Sequence, residues 1–392
     1  MASGSEEPPD LGGEQAAARV TSVYDQYTRP PEPTPAGPES SPAAADSAAL
    51  PDTDHSHPPS DAEPAAPASA AVPPRNLTDV CPPVIGDPGS QLEFISQLAT
   101  AWPGRADTAI DAGITGALDV RAASIRGKSH RDKRDSPFST TRQDEYCFQL
   151  TADGRWLVVV VADGVSSGDE SHVAATIVAR RGCSTVANML DEGTAVEDIA
   201  WTEVAGLLST VIVREWLKRR PEPFDPEDFA AKTAEEADEL RRRCAVDCAT
   251  TALAAVVSTQ LESDATVAFT GVVLAGDSSL WLLEPDTGWR ALSKVKNEDA
   301  EIASNVTSGL PIVGDVETHV ERIAPGAALF LMSDGLGDPL GGGSGEVGRY
   351  LAEHWQRPPS GYAFAATLDF YRRTFDDDRT AVGIWLADET EP

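Results

Sequence analysis

The sequence is poor in sulfur and in positive charge. Five cysteines stand among 392 residues, odd in number and scattered: Cys81, Cys147, Cys183, Cys244 and Cys248. Neither a disulfide framework nor a zinc-ligand spacing emerges from them. Cys244 and Cys248 are four apart, as on one helical face, but no second pair complements them, so the thiols read as ordinary buried side chains and the expected location is cytoplasmic. Lys and Arg number 31 against 63 Asp and Glu, a formal net charge of −32. That balance argues against nucleic acid or an anionic membrane as partner, since both demand a basic surface. No basic stretch followed by an apolar one opens the chain, and no uncharged run reaches the length of a membrane span. Neither a signal peptide nor a transmembrane helix is therefore expected. Two common catalytic signatures, H-E-x-x-H and G-x-x-x-x-G-K-[ST], are also missing.

What is present divides the chain in three. Residues 1–85 are Pro, Ala, Ser and acid without a strand or helix period, a composition that cannot repay the entropy of ordering. A disordered acidic arm is expected there, available to bind another protein, with His55 and His57 as solvated tail rather than a metal site. Residues 86–120 read as a lead-in, with a short amphipathic helix over 92–102. Residues 121–392 form the folded domain, and with hydrophobics at 41% the chain can bury a sizeable core. Strands are expected at 146–150, 156–162, 250–257, 267–276, 279–284, 328–333 and 380–386. Helices are expected at 171–190 (with Ser171 available as a cap), 200–220, 225–243, 346–355 and 362–373. The order lacks a regular βαβ rhythm, which favours antiparallel sheets with helices outside over a doubly wound sheet.

Acids recur at the strand ends. Asp163 follows WLVVVVA, Asp277 follows VAFTGVVLAG, Asp334 follows ALFLMS, the run DDD at 376–378 precedes RTAVGIWL, and Asp144 precedes EYCFQL. Any one of them is adequately explained as an Asx turn. Five together, at sheet edges where distant residues meet, would repel one another and shift each other's pKa upward unless cations sat between them. Hard divalent ions want such oxygen ligands, and a pair of ions is one solution to phosphate hydrolysis.

These pieces resemble, in order and spacing, the metal-dependent serine/threonine protein phosphatases of type 2C, in a divergent bacterial-like form. The matching stretches are SIRGKSHR…RQDEY, VVVADGVSS, ATTALAAVV, VVLAGDSSLWLL, FLMSDGL and DDRTAVGIW, between about residues 122 and 387. The resemblance implies an α+β fold, a four-layer α-β-β-α sandwich of two antiparallel sheets flanked by helices, with the site in a cleft at one end. It implies two core Mn²⁺ or Mg²⁺ ions held by Asp163, the carbonyl of Gly164, Asp334 and Asp377, and a third, weaker ion at Asp277. Asp144 would act mainly through metal-bound water, and Asp378 takes a place usually held by Asn. The implied activity is hydrolysis of phosphoserine and phosphothreonine by direct attack of metal-bound water or hydroxide, on protein substrates of a Ser/Thr kinase, with a monomer expected.

Two departures stand out. Ser166 and Ser167 replace glycines, and Ser139 occupies the position of the family's phosphate-holding Arg. Arg126, His130 and Arg131 are the replacements available for holding phosphate and protonating the leaving alcohol. The alternative is a catalytically silent domain of the same fold that binds a regulatory partner or phosphoprotein. Loss of a core acid would have signalled it, and Asp163, Asp334 and Asp377 are all present.

Overall fold

The computed structural model describes residues 82–93, 105–131, 141–294 and 309–387. Residues 1–81 of the arm, with His55 and His57, lie outside the described residues, as does the helix expected over 92–102 beyond Glu93; the arm's last residues are ordered, with Val84 bridging to Tyr371 and Ile85 buried. Strands β1 (Thr108–Thr115), β2 (Leu118–Ile125), β7 (Ser279–Glu284), β8 (Gly288–Ala291), β10 (Ala328–Met332) and β11 (Arg379–Leu386) form one sheet in the order β1-β2-β11-β10-β7-β8. Strands β3 (Glu145–Leu150), β4 (Trp156–Ala162), β5 (Ala252–Ser258), β6 (Val267–Ala275) and β9 (Glu317–Ile323) form the second in the order β3-β4-β5-β6-β9. Every pairing is antiparallel.

Three apolar layers make this a four-layer sandwich. Between the sheets lie Val159, Val161, Leu253, Val257, Phe269, Leu280, Leu329, Leu331, Val382 and Ile384. The outer face of the five-stranded sheet meets helices α2 (Ser171–Asp191), α3 (Trp201–Lys218) and α5 (Ala234–Asp247) through Val158, Val160, Val178, Leu208 and Ile212. The outer face of the six-stranded sheet meets α6 (Asp334–Leu340), α7 (Glu346–Trp355) and α8 (Gly361–Leu368). That last layer is aromatic: Phe330 stacks on Trp355 at 5.0 Å and takes Trp289 and Trp385 edge-on at 5.1 and 5.2 Å. Gly383 is needed beneath it, because a Cβ there would run into the Phe330 and Trp385 rings.

The run WLVVVVA is thus an inner strand covered on both faces. Five of its side chains, Leu157 to Val161, are at most 3% exposed. At about 1.5–3 kcal/mol each, their burial is large enough to fix the strand end and hold a carboxylate out of water.

The structure departs from the sequence reading in several places. Strands β1, β2, β8 and β9 have no strong apolar signal. Both β1 and β9 are edge strands with mostly exposed or half-buried residues, and β2, buried at seven of its eight positions, interrupts its apolar residues with Asp119, Arg121 and Ser124. The sheet therefore begins at Thr108, inside the stretch read as a lead-in, and Ile85 joins the aromatic layer. Helix 225–243 is two helices, α4 (Pro226–Ala230) and α5, the second opened by a Thr233–Glu236 capping box. Ser171 does not cap α2. Its hydroxyl donates instead to the carbonyl of Val165, tying the loop after Asp163 to the helix start.

Candidate active site at the strand ends

Sheet register gathers the strand-end acids at one end of the sandwich. Glu145 pairs with Ala162, and Val161 with Leu253, so Asp144 and Asp163 leave neighbouring strands side by side. Met332 pairs with Ala381, and Arg379 with Ile125, which brings Asp334, Asp377 and the Arg126–Gly127 turn to the same end.

Asp163 is held by its backbone. Its N–H donates to Thr251 Oγ1 at 3.0 Å, and its carbonyl accepts from Thr250 Oγ1 and the Thr251 N–H, both at 2.8 Å. Its side chain is buried among its own kind. Burial first, then the carboxyls of Asp144, Asp334 and Asp377, push its pKa well above the carboxylate range. Asp144 is wholly buried and neither of its carboxyl oxygens accepts a hydrogen bond. Burial and then the Asp378 charge raise it to about 7, with partial relief from the nearby Asp163, Thr380 and Ser333. Asp377, partly exposed, is raised to about 6 by burial and by Asp378 and Asp334, against the opposing pull of His130.

The ground beneath Asp144 is cationic and polar. Arg105 and Arg142 donate to its main-chain carbonyl at 2.9 and 2.6 Å. Arg142 also reaches Ser124 Oγ at 2.5 Å; Ser124 accepts from Thr380 Oγ1 at 2.6 Å, and Ser333 Oγ accepts from the Thr380 N–H at 2.9 Å. All three hydroxyl residues are fully buried.

Asp378 behaves in the opposite way to its neighbours. Its carboxylate accepts the N–H of Gly127 at 2.6 Å, that of Gln143 at short range and that of Asp144 at 3.4 Å, and it meets His130 Nδ1 at 2.9 Å. Burial works to raise it, but His130 and the backbone donors hold it down at about 2. Burial likewise works against a charged His130, yet Asp378, with Asp377 and Asp144 behind it, raises the imidazole to about 9. His130 Nε2 lies 3.6 Å from Asp377. His130, Asp377 and Asp378 bring their ligand atoms within 4.8 Å of one another, a grouping that could hold a metal ion. The donors already on Asp378 make the pair with His130 an internal ion pair instead, and of the three it is Asp377 whose charge also bears on Asp163.

The basic residues singled out from sequence part company here. Arg126 is fully buried, its guanidinium bonded to Asp107 at 3.0 Å and to the His130 carbonyl at 2.6 Å, so it braces the turn beneath the site. Arg131, in α1 (Lys128–Arg131), is half-buried and donates from Nε to the Arg126 carbonyl at 2.7 Å. Gly164 bridges to Thr250, and a Cβ on it would press on Gln143 and Ser171 at 3.0 Å. Asp277 follows Gly276, whose φ of +85° turns the chain. Beside it, Ser278 Oγ hydrogen-bonds Thr251 Oγ1 at 2.7 Å, one step from the Asp163 backbone. Sequence reasoning passed over Arg105, Arg142, Gln143 and the two threonines, although TT immediately before a strand was a visible signal. The expectation that G-x-S-x-G is absent from the sequence is also wrong, since GVSSG at 164–168 has that form; exposed Ser166 has no histidine hydrogen-bonded to it among the described residues.

The sequence model of the family described as Protein phosphatase 2C matches residues 126–379. The chain belongs to that family. A comparison with curated proteins finds no match. Among solved structures, RsbX in complex with magnesium is similar at 15% identity and a TM-score of 0.37, over 71% of this chain and 100% of that one. The S. agalactiae serine/threonine phosphatase follows at 14% identity and a TM-score of 0.42, over 69% and 100%. The phosphatase domain of SpoIIE from Bacillus subtilis gives 12% and 0.33, over 73% and 96%.

Protein phosphatase 2C enzymes depend on metal, and the residues of this member fit a hard divalent ion. The two oxygens of Asp144 are buried without donors, Asp163 is crowded by three carboxyls, and the backbone at Gly164 leaves no room for a side chain. Oxygen donors with uncompensated negative charge are the ligand set that Mg²⁺ and Mn²⁺ prefer.

Proposed function

We propose that this chain is a metal-dependent protein serine/threonine phosphatase that hydrolyses phosphoserine and phosphothreonine in phosphoprotein substrates. The observation that carries the reading is Asp163, buried at the end of a fully covered strand with Asp144, Asp334 and Asp377 around it. Asp163, Asp334, Asp377 and the Gly164 carbonyl would hold two core ions, Mn²⁺ or Mg²⁺, with Asp144 behind them and Asp277 toward a third. Ions held there would supply positive charge to the phosphoryl oxygens and lower the pKa of water.

The chain's own residues supply the rest. The threonine clamp on Asp163 and the arginines under Asp144 fix the acids before substrate arrives, which is the condition for electrostatic catalysis. His130, charged at neutral pH and held through Nδ1 by Asp378, would donate a proton to the leaving alcohol from Nε2, which faces Asp377 at 3.6 Å. Arg131 takes the phosphate-holding role, because the Arg126 guanidinium is committed to Asp107 and the His130 carbonyl.

The test is hydrolysis of an aryl phosphate by the purified full chain with Mn²⁺ or Mg²⁺. Activity should appear with metal and vanish with chelator. A folded chain that stays inactive with both ions would instead be a phosphoprotein-binding module on the phosphatase fold.

A further inference from the structure

From sequence the cysteines read as ordinary buried thiols, but the four described ones, all free, lie as two neighbouring pairs. We propose that Cys147 and Cys183 form a peroxide-reactive dithiol site, with Cys147 as the attacking thiol and Cys183 as the resolving one. Cys147 lies on β3, the edge strand of the five-stranded sheet, and is partly exposed. Strand alternation turns it toward α2, opposite to Tyr146 and Phe148. Cys183 comes from the buried side of α2, with Sγ 3.1 Å from the Cys147 carbonyl and 3.6 Å from that of Val158.

Cys147 packs against the apolar layer that contains Cys183, and the neighbouring Cys183 thiol, helped by the charge of Arg180 and opposed by burial, holds Cys147 below the usual thiol range. Burial pushes Cys183 up. An accessible thiol with depressed pKa beside a second thiol is the arrangement that oxidises reversibly.

The second pair is a built-in contrast. Cys244 and Cys248, at the end of α5, also approach each other, but both are fully buried, and the contact and burial push Cys244 up. Proximity alone is common to both pairs; access and thiolate character belong to Cys147.

The reaction balances with hydrogen peroxide as the oxidant. Cys147 thiolate attacks one peroxide oxygen, an S–O bond forms, the O–O bond breaks, and hydroxide leaves to become water. Cys183 sulfur then attacks the sulfenic sulfur, S–S forms, S–O breaks, and the Cys183 proton leaves with the departing hydroxide as a second water. The dithiol loses two electrons to the peroxide. The product joins β3, which starts one residue after Asp144, to α2.

The experiment treats the reduced full chain with hydrogen peroxide in chelator-containing buffer, blocks remaining thiols with N-ethylmaleimide and maps tryptic peptides by mass. Expected is a link between peptides 143–155 and 182–214, lost on treatment with dithiothreitol, with Cys244 and Cys248 still alkylated. Without peroxide, N-ethylmaleimide should label Cys147 at least ~10-fold faster than Cys244 or Cys248. Cys183→Ser should leave a sulfenic acid on Cys147 that dimedone traps, and Cys147→Ser should abolish both products. Oxidation of Cys147 without the link, a link to Cys81, or labelling of Cys147 no faster than Cys244 would each overturn the proposal. The peptide map of the unaltered chain reads the result even if a variant fails to fold.

Discussion

Asp377 and Asp378 are adjacent in sequence and belong to two different electrostatic regions. Around Asp378 the protein supplies donors: three backbone N–H groups and a charged imidazole. Around Asp163 and Asp377 it supplies mainly other carboxyls, and around Asp144 burial without a donor on either oxygen. The first acid is held at about 2, while Asp144 and Asp377 rise to about 7 and 6. Burial acts on both regions alike, so the partners decide the outcome. A saturated carboxylate needs no further partner, whereas a starved one is where a cation would relieve the most repulsion.

That contrast can be broken most directly at its saturated end. Asp378→Ala strands a buried imidazolium and several buried N–H groups, and should cost about 3–5 kcal/mol of stability, read by urea unfolding with and without Mn²⁺. Little change in stability with complete loss of activity would make Asp378 a ligand after all. Asp163→Asn should lower metal-dependent turnover at least ~100-fold while making the metal-free fold more stable, since it removes one of the clustered charges. Near-normal turnover would mean that the central acid is misplaced.

The pH response separates the two regions again. Asp144 and Asp377 are raised above their unfolded values, so their contribution to stability is present at low pH and lost as pH rises through about 6 to 7. His130 is also raised, and its contribution is lost only as pH rises through about 9; that of Asp378, which is lowered, is lost only as pH falls toward 2. The metal-free protein should therefore melt several degrees lower at pH 8 than at pH 5, on the order expected for 1–2 kcal/mol, and Mn²⁺ should cancel that fall. A melting point indifferent to both would remove the reason for a cation. Arg131→Ala should raise KM for an aryl phosphate by roughly tenfold with little loss of stability, whereas Arg126→Ala should lose stability. Asp277→Asn should show the smallest change, below about tenfold in turnover, because it is the next residue, Ser278, that meets the Thr251 hydroxyl holding Asp163.

The core strands and the strand-end acids were legible because each rests on a local pattern, a greasy run ending in Asp. What was not legible depends on partners far along the chain. Edge strands β1 and β9 bury too little to leave a period, and β2 breaks its apolar run with Asp119, Arg121 and Ser124. Arg126 looked like a phosphate ligand because a buried arginine cannot be told from an exposed one until Asp107 and the His130 carbonyl are seen against it. Asp378 looked like a neighbour of a ligand, and its role appears only once Gly127 and Gln143 arrive from distant strands. The cysteines are a similar case, since 147 and 183 are paired by a strand and a helix rather than by spacing.

The aromatic layer over the six-stranded sheet has an optical consequence. Trp281, Trp289, Trp355 and Trp385 are half of the chain's eight tryptophans, and Trp289 lies within 6.2 Å of both Trp281 and Trp355. Rings this close share excitation, so the layer should give a coupled near-ultraviolet dichroism band that Trp156, Trp201 and Trp216, on the other flank, do not contribute to. Loss of that band on heating, timed against the total fluorescence change, would reveal whether the two helical flanks let go together or one after the other.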